Sequence, residues 1–248
     1  MRKIALPRLR FLRTTRSIQT CIYYLGKMIF ARTQVVVRGA CHLDALHGNA
    51  IFAPNHANEL DTIVLCLALD AAQTLHERIP IFFMSREKKF YDDMGFFKAL
   101  VYGGFLFRLL GAYPVTPRDE RTEETRKNTL RTHRALLRSG RSIVIFPEGT
   151  RTETGELLPA KAGVAILSEQ SGIPVIPVAI EGTFGLSFSN FLRGKKRIRV
   201  IFGEPIRFHA VGDTPDTSPL GKEAYLRKAA FVLSHVRGLL ERRAQEEK

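Results

Sequence analysis

The fold is decided by residues 142–180, which read SIVIFPEGTRTETGELLPAKAGVAILSEQSGIPVIPVAI. Apolar, β-branched runs open this stretch at 142–146 and close it at 175–180, and both are continuous enough to be strands buried on both faces. Between them, residues 160–171 have helical spacing, and Gly172 stands where a helix would stop. A strand, a helix and a second strand in this order predict a unit of an α/β sheet.

The same alternation extends in both directions along the chain. Further strands are predicted at Val35 to Val37, Ala50 to Ala53, Ile79 to Met84 and Ile198 to Phe202. Further helices are predicted at Asp61 to Ala72, at Glu120 to Ser139, and near the end, where these residues recur at helical spacing: Leu226, Ala229, Leu233, Val236 and Leu240. We therefore expect one α/β domain over residues 34–248, with a mixed, largely parallel sheet flanked by helices.

The composition is that of an ordinary globular domain with a strong positive charge. The 248 residues are 45% hydrophobic and 25% charged, which excludes a disulfide miniprotein and a disordered tail. Lys and Arg number 38 against 24 Asp and Glu, a net charge of +14, so we expect an anionic partner. The three cysteines, Cys21, Cys41 and Cys66, lack CxxC spacing and are expected to be reduced, buried side chains.

The first 33 residues predict a basic amphipathic helix. Residues 1–43 carry nine Lys or Arg, and no acidic residue precedes Asp44. Apolar residues recur at three- and four-residue spacing, a single helical stripe of Ile18, Cys21, Ile22, Leu25, Met28 and Ile29. This stripe can lie in a membrane interface or pack on the domain, and both alternatives remain open. We expect no membrane-spanning helix and no secretory signal peptide.

A histidine and a carboxylate share one short turn in PNHANELD, residues 54–61. On a regular helix a five-residue separation puts two side chains about 140° apart, so His56 and Asp61 can meet only if His56 precedes the helix. Asn58 is then the expected N-cap, and nearby backbone N–H groups are candidate oxyanion donors. Asp61 can accept the Nδ1 proton of His56 and leave Nε2 to take a proton. The alternative is a structural or capping role.

A second motif, FPEGTR at residues 146–151, also follows a predicted strand. Ligands bind at the carboxyl ends of strands in open α/β sheets, so we expect this turn to lie at such a site. Arg151 can bind a phosphate through two hydrogen bonds. Glu148 can accept a hydrogen bond from a ligand hydroxyl or pair with the arginine itself. Lys161 adds another cation. The alternative is a surface turn with a Glu–Arg pair.

Together, the two motifs resemble those of the glycerophospholipid acyltransferase family, best known for the 1-acylglycerol-3-phosphate acyltransferases. His56, four intervening residues and Asp61 are similar to its first block, and FPEGTR is similar to its third. Residues 111–118, GAYPVTPR, resemble its acceptor-binding second block, and residues 175–180 resemble its hydrophobic fourth block. The four blocks stand in the family's order.

The resemblance implies transfer of a fatty acyl chain from acyl-CoA or acyl-carrier protein to a lysophospholipid hydroxyl, with 1-acylglycerol-3-phosphate as the expected acceptor. It implies that His56 deprotonates the hydroxyl and Asp61 orients the imidazole, with no covalent intermediate and no other cofactor. The residues implied for the acceptor are Arg151, Arg118 and Lys161 at its phosphate, and Glu148, Gly149 and Thr150 around its pocket.

The chain departs from the family pattern at two positions. Asn58 stands where the family commonly has Ser, and Asn caps helices as well as Ser does. The second block reaches Arg118 later than is usual, after Pro117, so Arg86 or Lys88 is an alternative phosphate ligand.

The expected partners are a membrane phospholipid surface, the lysophospholipid and the acyl donor. Since lysolipids are held in bilayers, we expect a peripheral protein on the cytoplasmic face of the cell (inner) membrane. Residues 100–110 predict a second membrane contact, part of an acyl-chain pocket or a buried helix. Residues 193–199, RGKKRIR, can meet anionic lipid, the donor's phosphates or an acidic carrier protein, or form a solvated hairpin or strand edge.

Other functions remain open at the level of sequence. The acceptor can be another lysolipid, including an amino-acid-derived one, or the enzyme can be a transacylase that takes its acyl chain from a phospholipid. A basic membrane-binding module with an inactive acyltransferase body is the non-enzymatic alternative. No helix-turn-helix, RNA-binding aromatic motif or metal-ligand spacing is present in the sequence, so we expect neither a nucleic-acid partner nor a metal site.

Overall fold

The computed structural model describes residues 9–44, 46, 48–86, 111–115, 122–208 and 219–246. In these residues the helices are α1 Leu9–Ile29, α2 Cys41–Asp44, α3 Asp61–Ala71, α4 Leu75–Arg78, α5 Glu123–Arg138, α6 Gly163–Ser171, α7 Phe188–Leu192 and α8 Pro219–Glu246. The strands are β1 Val35–Arg38, β2 Ile51–Pro54, β3 Phe82–Arg86, β4 Ala112–Val115, β5 Ile143–Val144, β6 Val175–Glu181 and β7 Ile198–Phe202.

The described strands form one seven-stranded sheet in the order β1-β7-β6-β2-β5-β3-β4. Every neighbouring pair is parallel except β6 and β7, which run antiparallel. This confirms the predicted mixed, largely parallel sheet. Strands β2 to β6 end at the same edge, called here the carboxyl edge, and β7 begins there because it runs in the opposite direction.

The core has a layer of side chains on each face of the sheet. Strand β2 lies between β5 and β6, and all four of its residues are buried. Phe52 packs with Leu65 of α3 on one face, whereas Ile51 packs with Ala165 of α6 and Val232 of α8 on the other. Since burial of one such large apolar side chain contributes roughly 1.5–3 kcal/mol, these layers fix the position of the strand that leads into His56.

Helix α1 is attached to the domain by polar contacts and by the packing of Tyr23 against the core, not by its apolar stripe. The Gln19 amide donates to the Ile81 carbonyl at 2.8 Å and accepts from the Ile81 N–H at 3.0 Å. The Tyr23 hydroxyl donates to Asp70, and Lys27 lies 3.1 Å from the same carboxylate. The exposed members of the stripe are Cys21, Ile22, Leu25, Met28 and Ile29. The predicted amphipathic helix is thus confirmed, and most of its stripe does not pack on the domain.

No helix in the described part of the chain is both long enough and apolar enough to cross a membrane.

Two cysteine predictions are wrong, because Cys21 lies on the exposed side of α1 and Cys41 is exposed at the start of α2. Cys66 is partly buried.

Some predicted boundaries shift and a few short elements were missed. The strand predicted from Ile79 begins at Phe82, and Ile79 itself is the C-cap of α4. Strand β4 was not predicted, since Pro114 weakens a strand pattern and is tolerated here at the edge of the sheet. Gly172 ends α6 in the left-handed conformation, with φ of 72°, as predicted. Residues 100–110 lie outside the described residues.

Candidate active site

The His56–Asp61 turn is formed where β2 leaves the sheet and α3 begins. His56 precedes the helix, Asp61 is the first helical residue, and their Nδ1 and Oδ2 atoms are 2.9 Å apart. The carboxylate can only accept, so the ring donates through Nδ1, and Nε2 is the nitrogen that can accept a proton. The Asp61 side chain is fully buried and that of His56 is 18% exposed, so solvent reaches the imidazole but not its partner.

Backbone groups fix the orientation of Asp61. Its Oδ2 atom also accepts from the Ala57 N–H at 2.7 Å and the Asn58 N–H at 2.8 Å. Three donors therefore converge on one oxygen. Because these two N–H groups already point at the carboxylate, they do not point at a substrate, and the expectation that backbone groups near Asn58 stabilise an oxyanion is wrong for these two.

Asn58 does not act as the N-cap predicted for it. The N-cap position of α3 is Leu60, which has no side-chain cap hydrogen bond. Instead the Asn58 amide donates to the carbonyls of Thr183 and Leu186, both at 2.9 Å. Its Oδ1 accepts from the Leu60 N–H at 3.1 Å. The side chain thus joins the His56–Asp61 turn to the loop after β6, and a serine hydroxyl has too few donors for these contacts.

The ring of Phe146 lies flat against the His56 imidazole. The ring centroids are 3.8 Å apart and the planes are inclined by 19°. Asn55, just before His56, is buried and exchanges two hydrogen bonds with the backbone of Ile180 in β6. Neither of these positioning contacts could be predicted, because nothing in the local pattern at these residues indicates a partner 90 or more positions away.

Glu148 is tied to the His56 turn. It is 1% exposed, and its two oxygens accept from the His56 N–H at 2.8 Å and the Leu158 N–H at 2.7 Å. Burial raises the pKa of this carboxyl, while the two N–H donors act in the opposite direction. The Thr152 N–H donates to the His56 carbonyl at 2.9 Å. The two motifs are therefore joined, with both carboxylate oxygens of Glu148 bound to backbone N–H groups.

Arg151 of the second motif and Lys161, ten residues further on, lie near this turn. Arg151 is 47% exposed and lies 3.8 Å from Glu59, so the Glu–Arg pair considered for this turn does not involve Glu148. Gly149 has φ of 68°, and a Cβ there would lie 2.8 Å from the Lys161 side chain. Thr150, between them, is partly buried. Both motifs thus bring their polar residues to the carboxyl edge.

The remaining candidates for the phosphate are only partly described. Strands β3 and β4 end at the same edge, at Arg86 and Val115. The chain beyond each strand therefore leaves from the edge that carries His56. Arg118 and Lys88 themselves lie outside the described residues.

A buried carboxylate that orients a histidine, with exposed cations close by, is typical of enzymes that use a general base on an anionic substrate. Residues 34–181, more than half of the chain, match the protein family described as Acyltransferase. This chain belongs to that acyltransferase family.

Curated relatives share low identity with the chain. A chloroplastic 1-acyl-sn-glycerol-3-phosphate acyltransferase of Brassica napus is 27% identical over 143 residues, 57% of this chain and 40% of the relative. One of Arabidopsis thaliana is 24% identical over 180 residues, 72% of this chain and 45% of the relative. A probable 1-acyl-sn-glycerol-3-phosphate acyltransferase of Mycoplasma genitalium is 24% identical over 217 residues, 83% and 72% respectively. The chain spans less than half the length of the two plant relatives.

A solved structure has the same fold. It is that of the 1-acyl-sn-glycerophosphate acyltransferase PlsC from Thermotoga maritima, with a TM-score of 0.53 and 19% identity. The match covers 92% of this chain and 81% of the other.

Proposed function

We propose that this protein transfers a fatty acyl chain from an acyl thioester to the hydroxyl of a lysophospholipid, with 1-acylglycerol-3-phosphate as acceptor and phosphatidic acid as product. The observation that carries the proposal is the buried Asp61 carboxylate, which holds Nδ1 of a partly exposed His56 at 2.9 Å. The names of the relatives, 1-acyl-sn-glycerol-3-phosphate acyltransferases, support the choice of acceptor.

In this mechanism Nε2 of His56 takes the proton of the acceptor hydroxyl while the hydroxyl oxygen attacks the thioester carbonyl carbon. The tetrahedral intermediate collapses, the C–S bond breaks, and the imidazolium returns the proton to the thiolate. Asp61 keeps the ring in the required tautomer and stabilises its protonated form. Since a thioester is already activated, direct attack needs no covalent enzyme intermediate.

The acceptor's phosphate would be held by cations at the carboxyl edge. Arg151 has an exposed guanidinium, which can bind two phosphate oxygens at once. The Lys161 side chain lies against Gly149, which belongs to the same turn as Arg151. Arg118 is a further candidate from the family resemblance. Glu148, Gly149 and Thr150 would shape this side of the pocket, Glu148 by holding the backbone.

The proposed setting is the surface of a membrane. The first 33 residues would form the contact segment and residues 34–248 the catalytic domain, at the cytoplasmic face of the inner membrane. The exposed apolar stripe of α1 supports this setting. The acyl donor would be acyl-CoA or acyl-carrier protein.

The test is thiol release from a long-chain acyl-CoA in mixed micelles, with a panel of lysolipid acceptors. We expect release that depends on lysophosphatidic acid and falls by about 10²–10⁴ in His56→Ala. His76→Ala is the matched control, because His76 is exposed on α4 and should leave the rate unchanged.

Other results would redirect the proposal. Activity only with a different lysolipid would keep the His56–Asp61 chemistry and replace the acceptor. Product formed from phospholipid without any thioester would indicate a transacylase. No activity with any acceptor, with either CoA or carrier-protein donors, would leave the membrane-binding module as the function.

A further inference from the structure

The segment between β6 and β7 exposes two phenylalanines that the core does not use. Phe184 is 45% exposed and Phe188 is 54% exposed. The same segment is anchored by Leu186 and Phe191, which are buried in the core. Large apolar side chains that stay exposed beside already buried ones indicate an interaction surface when they form a contiguous patch.

Exposed cations follow directly in the chain. Residues 193–197 contain Arg193, Lys195, Lys196 and Arg197, all exposed, and no acidic residue occurs from 182 to 203. The Lys196 ammonium donates to the Phe184 carbonyl at 3.3 Å, so cationic and aromatic parts adjoin in space as well as in sequence. We call Phe184, Phe188 and residues 193–197 the β6–β7 patch.

The β6–β7 patch adjoins the C-terminal end of α1 through Phe30, the residue that follows the helix. The rings of Phe30 and Phe188 meet edge to face, with centroids 6.4 Å apart. The Thr33 hydroxyl donates to the Phe191 carbonyl at 2.9 Å, which holds the end of α1 against α7. Met28, 78% exposed, lies on the last turn of that helix. One surface therefore combines apolar side chains from two distant parts of the chain with a cluster of cations.

The patch also borders the candidate active site. Asn58, in the turn between His56 and Asp61, donates to the carbonyls of Thr183 and Leu186 on either side of Phe184. A Cβ at Gly155, in the loop after Arg151, would lie 3.2 Å from the Phe184 ring. Both catalytic loops thus contact the segment that carries the patch.

We propose that the β6–β7 patch is a second membrane-docking site, in which Phe184 and Phe188 enter the interface and residues 193–197 bind anionic phospholipid headgroups. Aromatic side chains with neighbouring Lys and Arg suit a bilayer interface, where rings lie among acyl chains and cations meet negative headgroups. The patch and α1 would then contact the membrane at two separate places. Two separate contacts restrict the orientation of the protein on the membrane surface. If the proposed function holds, docking through this patch also turns the active site towards the bilayer, and this part of the inference rests on the proposed function. The docking itself does not depend on that function.

The first test uses the absence of tryptophan from the sequence. A Phe188→Trp variant carries a single indole in the patch. On vesicles of phosphatidylcholine and phosphatidylglycerol in equal parts we expect a blue shift of its emission and quenching by brominated acyl chains. Phe231→Trp is the matched control, since Phe231 is 51% exposed on α8 and should neither shift nor be quenched. An unshifted Phe188→Trp protein that still cosediments with the vesicles would overturn the proposal.

The second test separates charge at the patch from total charge. Lys195→Glu with Arg197→Glu should weaken cosedimentation with these vesicles by about tenfold or more, since each cation near an anionic surface contributes substantially. The control pair, Lys222→Glu with Arg227→Glu on α8, changes the net charge by the same amount. It should weaken cosedimentation far less. Equal losses in the two pairs would refute a local docking site. Neither test needs turnover, so an inactive protein that docks would contradict only the proposed function.

Discussion

Asp61 determines what His56 can do in this protein. Its Oδ2 atom receives one N–H from the imidazole and two from the backbone of the turn, and the side chain is fully shielded from solvent. A carboxylate held in this way cannot rotate without losing three hydrogen bonds. The pair therefore already has the geometry that the proposed proton transfer requires.

Asp61→Asn tests this arrangement at nearly constant size. The amide is uncharged and cannot stabilise the imidazolium, so we expect kcat to fall by about 10²–10⁴ with little change in KM for the acceptor. Initial rates of thiol release against acceptor concentration measure both constants. Asp44→Asn, exposed on α2, is the control and should behave as the unmodified protein does. A raised KM with kcat preserved would instead mean that Asp61 binds substrate.

Asn58, at a position where the family pattern commonly has Ser, links two loops through its side chain. Its amide makes two contacts to the loop after β6 and one to the start of α3, all near 3 Å. These contacts connect the His56–Asp61 turn to the segment that carries Phe184. The replacement is thus a link between two loops, not a substitute helix cap.

Among the helices, α5 buries a titratable side chain. His133 is 1% exposed and its Nδ1 donates to the Thr129 carbonyl, one turn earlier in the helix. Burial lowers the pKa of His133 from 6.5 to about 4, because the surroundings disfavour the charged ring, and the hydrogen bond only partly opposes this. The folded protein therefore keeps this ring neutral at pH values at which the unfolded chain protonates it.

This burial predicts a pH dependence of stability. The unfolded state binds more protons than the folded state between pH 6.5 and about 4, so stability falls as the pH is lowered through this window. Near pH 4, protonation linked to His133 lowers the free energy of unfolding by about 3 kcal/mol. Urea unfolding at several pH values in this range measures the free energy of unfolding. This free energy should fall more steeply with decreasing pH for the unmodified protein than for His133→Leu. Parallel curves for the two proteins would contradict the assignment.

The molecule as a whole carries a net charge of +14, and part of that charge lies beside exposed apolar side chains. Electrostatic attraction should bring it to an anionic membrane, and apolar contact should hold it there. The two contributions differ in their response to salt, since salt screens charges but does not weaken apolar burial.

We therefore expect salt to weaken binding to anionic vesicles selectively. Raising the ionic strength from about 0.1 M to about 1 M shortens the Debye length from about 10 Å to about 3 Å. Binding to vesicles that contain phosphatidylglycerol should weaken by about tenfold or more, and binding to pure phosphatidylcholine should change little. Cosedimentation at several salt concentrations measures both. Identical salt dependence on the two kinds of vesicle would argue against an electrostatic contribution.

The alternation of strands and helices was readable from sequence because it depends on local patterns. Strand β7 has the predicted bounds, Ile198–Phe202, since its residues alternate between buried and partly buried. The His56–Asp61 contact was also predictable, because both residues lie in one turn and only one local geometry lets them meet. The short strand β4, with Pro114 at the sheet edge, was not.

The sequence by itself determined the α/β class, the amphipathic first helix and the two motifs at strand ends, because each of these follows from local spacing. Only the tertiary structure decided that Glu148 holds the His56 backbone, 92 residues away, and that Asn58 holds the loop at Thr183, 125 residues away. It also decided that the stripe of α1 stays exposed. Contacts between distant residues depend on strand order and on which faces pack together, and local periodicity carries no information about either.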